Sequence, residues 1–361
     1  MGHRKKGTQQ SVYTKDLKDQ MYGRLTAMLE AGKGRSKKVD ALTGADRDKI
    51  YSYSTYEAYF KHGKYFLNYV RERHPECTTL KAAEKYVAEW LTYRIEHGAE
   101  KDGKPLSVWT LDLERQALCK LYQIRPDDPQ FVQLPKRRRE DIKRSRGPAV
   151  RDKHFSERNN WEFVCFCRGT GARRSALEKL EGRDLFAKTE INKRIARLQV
   201  KQAQGKLSPE EEQDLTALLD AATQFPDHEY FICWRRDKGG KTRYAPIIGP
   251  YKDKIVERMQ NTAPHDKVWL YVPGNADVHG YRGEYATAIY KMYARPLDKI
   301  PYDKFRSGGR DGKGYWYQSG VYHCRGDERG KKLDKAAMIK ASKALGHNRI
   351  SVVADNYIRD L

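Results

Sequence analysis

Between Pro135 and Pro148 the chain carries seven Lys or Arg residues in eleven positions: Lys136, Arg137, Arg138, Arg139, Lys143, Arg144 and Arg146. Like charges at this density repel one another and stay in solvent or on a polyanion, and the flanking prolines discourage a regular element. The run therefore divides the chain, because no single core extends through it. With 361 residues there is material for a core on either side. The expected plan is a basic N-terminal arm (1–48), a helical domain (49–134), the basic linker (135–152) and a second domain (153–361).

The first half reads as helix. Tyr56, Tyr59, Phe60, Phe66, Leu67 and Val70 fall near a 3.6-residue repeat, as do Leu80, Ala83, Val87, Trp90 and Leu91. A further helix opens at the N-cap Ser107 and runs through Leu111, Leu118 and Leu121. Lys61, Lys64, Arg71 and Arg73 give this domain positive outer faces. The arm before it has one amphipathic stretch, Tyr22 to Leu29, beside a Gly-rich segment from Ala31 to Arg35.

After the linker the pattern becomes mixed. An apolar helix, Trp161 to Cys167, leads into Gly169-Thr170-Gly171-Ala172-Arg173. A charged helical pair over 190–225, split at Gly205, looks like an insertion. Tyr230, Ile232 and Trp234 alternate as a strand, and the turn Asp237-Lys238-Gly239-Gly240-Lys241 returns into Tyr244-Ala245-Pro246 as a β-hairpin. Helices follow from Tyr251 to Met259 and from His279 to Tyr293. An aromatic segment (310–325) reads as a second hairpin, and a last helix, Asp334 to Ala344, delivers Leu345-Gly346-His347.

Charge narrows the partner. The 71 basic residues against 48 acidic ones leave a net charge of +23, which a polyanion would neutralise. With 24 Tyr and 6 Trp interleaved, nucleic acid fits better than a membrane surface. Six scattered cysteines in apolar runs suggest buried thiols in a reducing compartment. Cys165-Phe166-Cys167 lacks a second pair at zinc spacing, so neither a metal nor another cofactor is expected. Without a membrane-spanning run or a signal-peptide core, the expectation is a cytoplasmic, DNA-associated protein.

Two arginines, two histidines, a lysine and a tyrosine recur in short motifs at element boundaries, where side chains can share a cleft. In this the chain resembles the tyrosine recombinase (phage integrase) family. Thr170-Gly171-Ala172-Arg173 is similar to that family's first arginine box, and Lys238 to Arg243 to its hairpin lysine. His279-Gly280-Tyr281-Arg282 is similar to its H-x-x-R box, and Leu345-Gly346-His347 with Tyr357 to its closing box. The four stand in the family's order. The implied fold is multidomain, α and α+β: a helical SAM-like core-binding domain, then a mixed α/β, mainly helical, catalytic domain with a small antiparallel sheet.

The resemblance implies a chemistry. Tyr357 would attack a DNA phosphodiester and leave a 3′-phosphotyrosine with a free 5′-hydroxyl. Arg173 and Arg282 would hold the non-bridging oxygens, and His347 would add a hydrogen bond. His279 would take the tyrosine proton and Lys238 would protonate the leaving oxygen. Lys136, Arg137, Arg138, Arg139, Lys143, Arg144, Lys241 and Arg243 would contact the DNA backbone. A nuclear-localisation patch or a solvated charge run are the other readings of the linker. The implied partner is double-stranded DNA, with a homotetramer on two paired sites and room for accessory DNA-bending proteins.

Two departures stand out. Where the family places an acidic residue three positions after its first arginine, this chain has Ala176. Arg174 also competes with Arg173 for the first role, although the motif's spacing favours Arg173. The same chemistry serves type IB topoisomerases and telomere-resolving enzymes, and a catalytically inactive DNA-binding relative would keep the same basic surfaces.

Overall fold

A computed structural model describes residues 16–99, 104–126, 131–136, 154–237, 240–300, 302–306, 315–325, 329–347 and 349–358. The chain divides into two compact units, 1–141 and 142–361. It is mostly helical, with one three-stranded and two two-stranded antiparallel sheets among the described residues.

In the first unit, α1 (Leu17–Gly32), α2 (Lys37–Thr43) and α3 (Tyr53–Arg73) precede α4 (Leu80–Ala83), α5 (Val87–His97) and α6 (Val108–Tyr122). Short polar side chains start several of them, as expected for N-caps: Asp16 accepts from Asp19 N at 2.9 Å and Ser107 from Thr110 N at 3.2 Å. Met21, Leu25, Phe66, Val70, Trp90, Leu91 and Leu118 interlock in one core. Burial of each such side chain stabilises by roughly 1.5–3 kcal/mol. The expected N-terminal arm is corrected here. From residue 16 onward it is part of the fold, because Met21, Leu25 and Met28 form a buried stripe on α1, and Ile50 N–H bonds Met28 O at 2.8 Å.

A buried ion network lies in this core. Glu114, fully buried, takes two hydrogen bonds from Arg94 at 3.0 and 2.8 Å, with His62 Nδ1 3.4 Å away. Arg94 also donates to Gly98 O at 2.7 Å.

The second unit is layered on a sheet. After α7 (Trp161–Thr170) and α8 (Arg174–Leu177), β1 (Leu185–Ala187) pairs antiparallel with β2 (Tyr230–Asp237), which pairs antiparallel with β3 (Lys241–Pro246). Both faces are covered, so Tyr230 to Trp234 form a continuous apolar run in β2 before its charged end, Arg235 to Asp237. Ile232, Trp234, Ala245 and Ile247 join one cluster with α7 and α11 (Lys252–Gln260). Phe231, Cys233 and Tyr244 join the other with the charged pair α9 (Lys188–Ala203) and α10 (Pro209–Gln224) and with α12 (Val278–Tyr293). The presumed insertion is thus a packed layer. Tyr244 Oη donates to Asp214 at 2.8 Å, and Lys343 pairs with Asp220 at 2.7 Å.

The expected aromatic hairpin over 310–325 is also corrected. Its residues split between two sheets: β5 (Tyr315–Ser319) pairs back with β4 (Tyr302–Arg306), and β6 (Val321–His323) pairs forward with β7 (Lys332–Asp334). From β7 the chain enters α13 (Lys335–Ala344), then α14 (Ile350–Asn356). Asp334 caps α13 through Ala336 N at 2.9 Å and takes a bidentate pair from Arg295, which holds its carboxyl down at about 2 against the opposing push of burial. No helix among the described residues is long and apolar enough to cross a membrane.

Candidate functional site

Two glycine turns from distant parts of the chain meet in the second unit. Gly171 ends α7 in the left-handed conformation, φ 60°, with the Tyr285 ring against the place a Cβ would fill. Gly346 ends α13 at φ 71°, where a Cβ would stand 2.6 Å from Arg243 Cδ. Any side chain at either position would be strained and obstructed, so Thr170-Gly171-Ala172 and Leu345-Gly346-His347 each need their glycine.

Arg282 ties the turns together. It is 1% exposed and lies on α12, whose N-cap Asp277 accepts from Gly280 N at 2.9 Å. Its guanidinium donates to Gly171 O and, at 2.5 Å, to Leu345 O. Burial, then the nearby Arg173 charge, pushes its pKa down, while Tyr357 and Asp237 oppose.

Arg173 and Arg174 have different work. Arg173 pairs with Asp237 at the end of β2. Arg174 turns to the segment before α12, donating to Pro273 O at 2.6 Å and Ala276 O at 2.9 Å. Only Arg173 joins the cluster.

Tyr357 closes α14 and is 7% exposed. Its N–H bonds Val353 O at 3.0 Å and its carbonyl takes Thr287 Oγ1 at 3.4 Å, so its backbone is held at the end of the helix. The His279 ring centroid lies 5.2 Å from it, His347 5.3 Å, and the Arg282 guanidinium 5.4 Å. His279 is exposed, one helical turn from Arg282 on the same side of α12. His347 is half-buried, and its pKa is pushed down to about 4 by burial, then by Arg282, Arg173 and Arg243. Its imidazole is neutral at pH 7.

Arg243 departs from expectation. The sequence reads it as a surface contact to DNA backbone, yet it is 6% exposed. Its Nε donates to Asp237 at 3.3 Å and its Nη1 to Ala344 O at 2.5 Å, as a desolvated cation requires. Burial, reinforced by Arg282, pushes it down to about 9. It is a third guanidinium in the cluster, beneath the Gly346 turn.

The positions missed by sequence reasoning are therefore Arg243, in this role, and Asp237. With Ala176 where a carboxylate was expected, the sequence signals that the arginines lack a counter-charge, but not that Asp237 supplies it. Lys238, the expected acid, lies outside the described residues, as do Arg137, Arg138, Arg139, Lys143, Arg144 and the Lys241 side chain. Lys136 is described and exposed.

The cluster is unbalanced. Among the described residues Arg173, Arg243 and Arg282 face one carboxylate, Asp237, and His347 adds no charge at neutral pH. Three buried donor or acceptor atoms, Arg243 Nη2, Arg282 Nε and His347 Nε2, have no hydrogen-bond partner among the described residues. A groove of about 850 Å³ opens beside them, lined by Arg243, Gly346, His347 and Lys343 opposite Asp220 of α10. Excess positive charge with unused donors is what an anion would satisfy. No family model matches the sequence, and no curated protein matches it.

Proposed function

We propose that the unit spanning 142–361 cuts and rejoins DNA through Tyr357, as the site-specific recombinase of a mobile element. The observation that carries the reading is a tyrosine flanked by two imidazoles and a guanidinium, at the edge of an arginine cluster with unused donors. A phosphodiester brings one negative charge and gains a second as a nucleophile adds. Three guanidiniums against one carboxylate leave two positive charges to meet it.

In the proposed reaction a bond forms between Tyr357 Oη and phosphorus while the bond from phosphorus to the 5′-oxygen breaks. The phenolic proton passes to His279, and Lys238 supplies the proton for the leaving oxygen. Arg173 and Arg282 bind the non-bridging oxygens, with His347 as a neutral hydrogen-bonding partner. A 5′-hydroxyl from another strand then attacks the phosphotyrosine and reverses each step. Because the covalent bond conserves the energy of the original linkage, rejoining needs no nucleotide. The net charge of +23 and the exposed Arg71 and Arg73 of α3 support a duplex as partner. By resemblance, two paired sites would carry a homotetramer.

The test needs no known target. The full chain is incubated with a pool of randomised duplexes bearing nicks, so that a short downstream fragment is lost after cleavage and the adduct is trapped. Recovery of DNA 3′-linked to the Tyr357 peptide is expected, with Tyr357→Phe giving none at unchanged DNA affinity. An adduct elsewhere, or none, would defeat the reading, and none with tight binding would mark an inactive DNA-binding relative. Whether the trapped end then joins its own strand, a hairpin or a second duplex separates topoisomerase, telomere resolvase and recombinase.

A further inference from the structure

Asp237 reaches the arginines through a fault in the sheet. Along β2 and β3, Trp234 stands opposite Arg243, yet Asp237 stands opposite Lys241, so β2 holds one residue more than its partner. In regular register Asp237 would share the side of Arg235, which is exposed and bonded to Asp184. The extra residue reverses the alternation and turns Asp237 to the side of Trp234 and Arg243. There its side chain is 3% exposed, paired with both Arg173 and Arg243.

We propose that Asp237 is the positioning residue for Arg173, supplying from the hairpin the carboxylate that position 176 lacks. Three features point the same way. A carboxylate this buried is tolerated only beside cations, and Asp237 has two. Among the described residues Arg173 has no carbonyl partner comparable to those that hold Arg282 and Arg243, and Asp237 is the group that holds its guanidinium there. Ala176 is half-buried, with its N–H bonded to Arg173 O at 3.0 Å, so a carboxylate at 176 would start from the same turn of chain. Asp237 does not touch the phosphate; it aims the guanidinium that does. It also precedes Lys238 directly in sequence, and Gly240 N–H returns to Asp237 O at 2.8 Å. That second link offers a competing explanation, which the experiment separates.

The inference rests on the strand-transfer reading, so wild-type adduct formation is measured first, on duplexes recovered from the randomised pool. No wild-type adduct sinks both. With the adduct in hand, Asp237→Asn should lower its rate by roughly 100-fold, the scale of a misplaced reacting group. DNA affinity should not change. The double variant Ala176→Glu/Asp237→Asn should recover to within roughly tenfold of wild type, because it restores a carboxylate beside Arg173. On the same duplex with sulfur replacing the bridging 5′-oxygen, Asp237→Asn should stay as impaired as Arg173→Ala. Rescue by sulfur would mean that Asp237 acts through the turn of Lys238, and the proposal falls. An unimpaired Asp237→Asn, or a double variant that recovers nothing, also overturns it. Should Asp237→Asn not fold, as its melting curve would reveal, Asp237→Glu and the double variant carry the same comparison.

Discussion

Each unit buries a cluster of charge, and the two clusters are built to opposite rules. In the first, Glu114 takes both arms of Arg94 while Arg94 spends a further donor on Gly98 O. Burial pushes the Glu114 carboxyl up, but the neighbouring His62 and Arg94 outweigh it and hold the group below the usual range. In the second, three guanidiniums share Asp237, and donors on Arg243 and Arg282 remain unused. The first network sets a cation against a carboxylate and is nearly closed: its unpartnered ring nitrogen, His62 Nδ1, lies 3.4 Å from Glu114. An open one with an excess of positive charge keeps mutually repelling cations close together, and on the proposed function an anion would relieve them. On the proposed function, the contrast separates a structural ion pair from a binding site without reference to any motif.

The largest effect that sharpens this contrast should come from Arg173→Ala. Adduct formation should fall by about 10²–10³, the loss typical of one preorganised donor removed from a transition state. The melting temperature should hold, because one of three mutually repelling cations is gone. A large loss of stability with intact chemistry would make Arg173 a brace like Arg94.

Glu114→Ala should do the reverse. It strands Arg94 in the core without a carboxylate, which costs about 3–5 kcal/mol for a buried pair. Melting of the first unit should drop accordingly, while adduct formed per folded molecule should stay the same. If chemistry falls as far as stability does, the closed network is not merely structural.

How much of this was legible in the sequence follows from what each feature depends on. The glycine turns could be read because their requirement is local: Gly171 and Gly346 occupy left-handed φ with no room for a Cβ. Helix starts were legible for the same reason, as Ser107 and Asp334 carry their signals within three residues. Pairing was not. Tyr315–Ser319 joins a strand upstream and Val321–His323 one downstream, and alternation along a strand says nothing about which neighbour it will find. Asp237 was hidden because its direction depends on one extra residue in β2, a property of two strands together. Arg243 was read as a surface cation because its burial comes from α13 closing over it. The α1 helix was assigned to an arm because its charged outer face masks the short stripe Met21, Leu25, Met28.

A smaller effect should come from added anion. Sulfate replacing chloride at matched ionic strength should stabilise the second unit by about 1 kcal/mol at concentrations several times its dissociation constant. Hydrogen exchange followed by peptide would localise the gain to the segments around Gly171, Asp237 and Gly346. Protection appearing equally around Glu114 would erase the distinction between open and closed clusters.

The smallest effect concerns His347 in acid. Its pKa in the folded chain is pushed down to about 4, below the ordinary imidazole value near 6.5. Between those values the unfolded chain holds more protons than the folded one, so stability rises with pH. The contribution is complete above about pH 6.5 and is lost as pH falls toward 4. A fully desolvated group would lose about 3 kcal/mol across that window. His347 is half-buried, and solvent screening brings the expected loss nearer 1 kcal/mol. Since repulsion from Arg282, Arg173 and Arg243 follows burial as a cause, sulfate should relieve part of the shift and move the His347 titration upward. The proton resonance of its ring, followed by NMR with and without sulfate and assigned through His347→Asn, reads this directly. Glu114, held down by its own partners, should show no such response to the anion. A His347 titration that sulfate leaves in place would mean that burial alone sets it, and that the arginine cluster is not open to an anion.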